Sequence, residues 1–173
     1  MRLLNIEIQN FRNLSSVQLT LKEGINYFWG ENGAGKTAFL EAVSVLARGR
    51  SFRSSQLADL VASGQDAFTL RMSFLDEHGG AQAVAVMRSI RGRSQLKLNG
   101  ESGKRLSEVA RILPVQILLP SLSDLVFGAP LERRRWLDWG LFHVKPNYLS
   151  TLREYLQVLK QRNAALKSHA RGE

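Results

Sequence analysis

Gly30-Glu31-Asn32-Gly33-Ala34-Gly35-Lys36-Thr37 is the stretch that decides how the rest of the chain is read. It fits the pattern Gly-x-x-x-x-Gly-Lys-Ser/Thr at every fixed position. The spacing has a chemical reason. Gly30 and Gly35 let the backbone wrap a body the size of a phosphate, and Gly33 adds a further permissive point. The loop amides then turn inward and donate to phosphate oxygens. Lys36 places an ammonium between a β- and a γ-phosphate, and the Thr37 hydroxyl suits a Mg²⁺ ligand. A helix that follows directs the positive end of its dipole at the anion. Glu31, Asn32 and Ala34 are the variable positions of the same cofactor-binding loop. The expected ligand is ATP or a close relative, held through its triphosphate with Mg²⁺.

Working outward, Ile25–Trp29 is a short apolar run that reads as a buried strand feeding the loop. From Lys36 the pattern turns helical, with Phe39, Leu40, Val43, Leu46 and Ala47 at helical spacing and a stop near Gly49. Two alternating segments precede the loop strand, Leu4–Ile8 and Ser16–Leu21, separated by a break at Phe11-Arg12-Asn13. Beyond Gly49, Ser51–Ser55 reads as a loop and Gln56–Ala62 as a short helix. Phe68–Leu75 and Ala81–Ile90 read as a hairpin closed by Asp76-Glu77-His78-Gly79-Gly80, and Gln95–Leu98 runs into the turn signal Asn99-Gly100. Leu106–Leu113 reads as a helix ended by Pro114, and Val115–Leu119 as another buried strand. Leu131–Phe142 and Tyr148–Lys167 read as helices. The fold class expected is α/β, a P-loop NTPase head with an antiparallel β subdomain and the start of a helical arm. Residues 1–120 would form the ATP-binding lobe, and 121–173 the truncated start of a second, helical lobe.

Two strands ahead of the loop strand argue against a small-molecule kinase, where the loop usually follows the first strand. No Asn-Lys-x-Asp text supports a guanine-specific site. The 173 residues include no cysteine, which excludes disulfides, cysteine-ligated zinc and thiol catalysis. Net charge is +9, an excess that points to nucleic acid or another polyanion. No apolar run is long enough to cross a bilayer and the N-terminus has no signal-peptide pattern, so a cytoplasmic protein is expected. His78, His143 and His169 have no metal-ligand spacing.

Several stretches resemble the RecF family of bacterial DNA replication and repair ATPases. They are Ile8-Gln9-Asn10-Phe11-Arg12-Asn13-Leu14, the phosphate loop with Leu40-Glu41-Ala42, and Gly49-Arg50-Ser51-Phe52-Arg53. Gly128-Ala129-Pro130 with Arg133-Arg134-Arg135-Trp136-Leu137-Asp138 follows, then Leu159-Lys160-Gln161-Arg162-Asn163-Ala164-Ala165-Leu166. The resemblance implies an ABC-type head, related to SMC heads, that pairs face to face as an ATP-dependent homodimer. It implies DNA binding at gaps, recombinational repair, the SOS response, and partnership with RecR and RecO. The family is longer, and this chain lacks its acidic Walker B strand and signature segment, so negligible ATPase is expected from these residues alone. The acidic pair in Phe74-Leu75-Asp76-Glu77 follows only two apolar residues. Where the family commonly has Pro-Glu, this chain has Pro120-Ser121. The alternatives are the head of another SMC-like ATPase, or a P-loop small-molecule kinase.

Outside the loop, Arg12 reads either as a contact to phosphate or base, by the resemblance, or as part of a surface turn. Arg50 and Arg53 beside Phe52, and Arg91 and Arg93 beside Arg88 and Lys97, read as DNA contacts or as solvated surface. Gln116 reads as a Mg²⁺- and water-sensing residue or as a hydrogen-bonded strand glutamine. Arg133-Arg134-Arg135 with Asp138 reads as a contact to DNA or a second subunit, or as a salt-bridged face.

Overall fold

The computed structural model describes residues 1–119 and 129–169. The chain divides into two compact units, Met1–Ile117 and Leu118–Glu173. The first is built on six antiparallel strands: β1 (Arg2–Phe11), β2 (Leu14–Thr20), β3 (Ala67–Leu75), β4 (Ala81–Ser89), β5 (Ser94–Leu98) and β6 (Glu101–Ser102). Their order is β2-β1-β3-β4-β5-β6.

Period-two alternation sets which face of the sheet is buried. Ile6 pairs with Met72 and Ile8 with Leu70, while Leu70 and Met72 pair with Val86 and Val84. These side chains, with Phe68 and Phe74, form one apolar face. The other face is polar, with Glu7 taking Arg71 at 3.2 Å. Helix α1 (Lys36–Arg48) belongs to the apolar core with Phe39, Ala42, Val43, Val45 and Leu46, joined by Val109 and Leu113 of α2 (Leu106–Ile112) and its C-terminal flank. Phe11 and Phe68 meet edge to face with centroids 5.1 Å apart.

Gly49 ends α1 with φ 68°, and its N–H returns to Val45 O. A Cβ at Gly49 would lie 2.1 Å from Leu106 Cδ2. Left-handed strain and this clash act together, so Gly49→Ala should lower unfolding free energy by about 1–3 kcal/mol. The measurement is urea unfolding, with the midpoint lowered and the slope unchanged.

Three sequence expectations need correction. Ile25–Trp29 is not in the sheet: Ile25 is 75% exposed and Trp29 90%. Val115–Leu119 is also outside it, with Leu118 69% exposed. An apolar run reports a wish for burial, but a strand also needs neighbours to take its N–H and C=O groups. Among the described residues no strand pairs with either segment. Within Gln56–Ala62 only Ala58–Leu60 makes a helical turn, of 3-10 type. Gln56 N is taken instead by Ser54 Oγ, and Ala62 N bonds Asn10 O.

The second unit, as described, holds α3 (Pro130–Val144) and α4 (Tyr148–His169). Pro130 opens α3, where its missing N–H costs no helical bond. Tyr148 Oη donates to Asp138, which raises the tyrosine pKa, chiefly through that bond. Leu156, Val158 and Leu166 of α4 stay exposed.

Candidate nucleotide-binding site

The loop from Gly30 to Thr37 leads directly into α1. Gly30, Gly33 and Gly35 all have positive φ, at 148°, 88° and 95°. Gly35 is the N-cap of α1, with no side-chain cap and no acid in the first turn. The positive end of the helix is therefore uncompensated by protein charge. Lys36 Nζ donates to Gly30 O at 2.6 Å and Glu31 O at 2.8 Å, so the ammonium sits at the mouth of the loop. Thr37 is exposed beside it.

The corner between β1 and β2, which the family resemblance places near the nucleotide, grips this loop through Asn13 and Leu14, to which sequence reasoning gave no role. Asn13 Nδ2 donates to Gly33 O at 2.6 Å. Leu14 packs so tightly under Gly35 that a Cβ there would lie 2.4 Å from Leu14 Cδ2. Gly35 is thus required by close approach as well as by its backbone angle.

The third grip is an ion pair. Arg12 donates from Nε at 2.9 Å and Nη2 at 2.7 Å to the two oxygens of Glu41 on α1. Glu41 is fully buried. It also accepts from Ser51 Oγ, and Arg53 Nη1 lies 3.5 Å away. The hydrogen bonds that Arg12 donates to Glu41 raise the Arg12 pKa, against partial burial. Of the two readings for Arg12, phosphate contact or surface turn, the geometry adds a third. The guanidinium fastens the corner to the phosphate-loop helix. Sequence periodicity placed Leu40 on the buried face of α1, yet Leu40 is 43% exposed and Glu41 is buried instead. The available signal was a lone carboxylate in an apolar helix, which needs a cation.

The other candidates are separated by their partners. Arg91 pairs with Asp66 at 2.7 Å, while Arg93 and Lys97 are exposed. Arg88 donates to Gly49 O at 2.8 Å, at the C-terminal end of α1. Arg50 is exposed and Arg53 is half exposed. Gln116 is exposed, in a segment outside the sheet. Arg134 Nε reaches Pro130 O at 3.4 Å. Asp76 accepts from His78 N, Gly80 N and Gln82 Nε2, and chiefly the Gly80 bond holds its pKa below the usual carboxylate range. That carboxylate is the keystone of a hairpin turn. Pro120-Ser121 and Gly128 lie outside the described residues.

A sequence model described as the RecF/RecN/SMC N terminal domain matches residues 2–124. The chain belongs to that family. It is 38% identical over 169 residues to the DNA replication and repair protein RecF of Proteus mirabilis, covering 96% of this chain and 47% of that protein. It is 41% identical over 161 residues to RecF of Idiomarina loihiensis, covering 93% and 44%. The chain therefore spans about half the length of these RecF relatives. A solved structure described as the recombination mediator protein RecF-ATP in the RecFOR pathway superposes with TM-score 0.84 at 30% identity, over 96% of this chain and 45% of that one. A chain from work on ATP-driven dimerization of SMC ATPases matches with TM-score 0.66 at 22% identity, over 80% of this chain and 99% of that one. It supports the head fold alone. These relatives bear out the expected fold class, a P-loop head of the ABC/SMC type, and favour the RecF reading over the kinase. Among the described residues, no helix is long and apolar enough to cross a membrane.

Proposed function

We propose that this chain is the nucleotide-binding portion of a RecF-type DNA replication and repair ATPase. The observation that carries the reading is the loop itself: positive-φ glycines, Lys36 at the mouth, and an uncapped helix start behind it. These groups suit a triphosphate, with the Lys36 ammonium between its outer phosphates. Thr37 Oγ1 is the group that would hold Mg²⁺, whose role is to offset phosphate charge. Residues 1–120 act as the ATP-binding lobe and 121–173 as the start of the helical one. The exposed Ile25–Trp29 and Val115–Leu119 segments are read as strands of a larger sheet in the complete head.

In that complete head, ATP promotes pairing of two copies and their binding to DNA, and hydrolysis releases the pair. RecR and RecO are the protein partners inferred from the RecF relatives, and the compartment is the cytoplasm. The chain alone binds nucleotide without turning it over, because Asp76 is committed to its turn and, among the described residues, no other acidic strand end follows an apolar run. The test is equilibrium binding of labelled ATP to the 173-residue chain with Mg²⁺, alongside phosphate release. Saturable binding with no release above the protein-free blank is expected. No saturable binding would overturn the site, and Lys36-dependent release would overturn the claim of no turnover.

A further inference from the structure

We propose that the groove formed by the Arg50–Ser55 loop and Arg88 of β4 holds the sugar-phosphate backbone of one nucleic-acid strand. This rests on the DNA-binding part of the proposed function and assigns it a place. The groove measures about 420 Å³ and is lined by Arg50, Phe52, Arg53, Ser54, Ser55 and Arg88, among others. That volume falls within the ~300–1,000 Å³ usual for ligand clefts.

The charge in the groove is in excess. Glu41 already accepts from Nε and Nη2 of Arg12, and Asp59 accepts from Ser54 Oγ. Arg53 keeps only a 3.5 Å approach to Glu41, with its side chain 49% exposed. Arg50 makes no side-chain hydrogen bond or ion pair among the described residues, and it faces solvent. Arg48, which lies just outside the groove, is pushed below its ordinary pKa, first by burial and then by the charge of Arg50, so Arg50 already repels a neighbouring cation. A phosphate would relieve that repulsion.

The groove is also ordered in advance. Ser51 Oγ accepts from Arg53 N at 2.8 Å and Ser54 N at 3.0 Å, fixing the loop that carries both arginines. Arg88 is anchored on Gly49 O at 2.8 Å. Phe52 is half-buried among these cations, where a base or sugar can rest on its ring. The hairpin tip is the weaker candidate, because Arg91 already has Asp66 at 2.7 Å.

The test is fluorescence anisotropy of a labelled single strand and a duplex at several salt concentrations. Arg50→Ala with Arg53→Ala is expected to weaken binding at least tenfold. It should also flatten the log–log salt slope by roughly 1.4–1.8, two contacts at about 0.7–0.9 each. Arg50→Ala alone touches no structural partner, and half of that slope change is expected from it. Arg93→Ala should lose less than either. ATP affinity is measured on Arg50→Ala, which leaves the Glu41 cluster intact, and it should change less than twofold. If the parent binds DNA and the groove variants bind it equally well, the groove assignment fails while DNA binding stands. If the parent binds no DNA, both fail. If ATP affinity falls and DNA affinity does not, the groove serves a nucleotide phosphate and the proposal is overturned.

Discussion

Lys36→Ala is expected to weaken ATP binding by at least about a hundredfold, since each hydrogen bond to a charged group contributes about 1.5–3 kcal/mol and Lys36 is positioned to make two. The ammonium rests at 2.6 Å from Gly30 O and 2.8 Å from Glu31 O. Both carbonyls belong to exposed residues, so water replaces the lysine without a large cost to the fold. The thermal midpoint should therefore stay within a degree or two of the parent. That contrast separates a lost ligand contact from a damaged protein. Lys36→Arg keeps the charge but not its compact shape, and it should recover only part of the affinity. Isothermal titration with Mg²⁺-ATP reads both variants. Parent-like affinity in Lys36→Ala would remove the loop from the nucleotide site.

Arg12→Ala is expected to cost about 3–5 kcal/mol of stability, the penalty for stranding a buried charge. The stranded group is Glu41, which is fully buried and would keep only Ser51 and the long approach of Arg53. The double variant Arg12→Met, Glu41→Leu should recover most of the loss, because neither member then carries a charge. Denaturant titration measures all three chains. If Arg12→Ala unfolds like the parent but loses ATP affinity, Arg12 is a nucleotide contact and the fastening role is wrong.

The parts of the site that could be read from sequence are those set by local rules. The phosphate loop has a fixed spacing of glycines and lysine, and the β3–β4 hairpin has strict alternation on both sides of a turn. Neither depends on a distant partner. Ile25–Trp29 and Val115–Leu119 do depend on one, because a strand without neighbours leaves its backbone groups unpaired. Their composition announced burial and could not name what supplies it. Glu41 was hidden for a related reason. Its partners Arg12 and Arg53 lie 29 residues before it and 12 after it by numbering, and only the folded corner brings them together. Asn13 was hidden because its bond is to a backbone carbonyl, which leaves no trace in residue type.

The exposed run Ile25–Trp29 also sets a race. An apolar segment outside the sheet, whose backbone groups make no hydrogen bond to another described residue's backbone, can be captured by any passing strand, including the same segment of another copy. Capture by another copy is second order, so its rate grows with the square of concentration. A strand tethered to the same polypeptide acts at an effective concentration of about a millimolar, whatever the dilution. Below that level a tethered neighbour wins, and a chain handled without one becomes progressively more self-associating as it is concentrated.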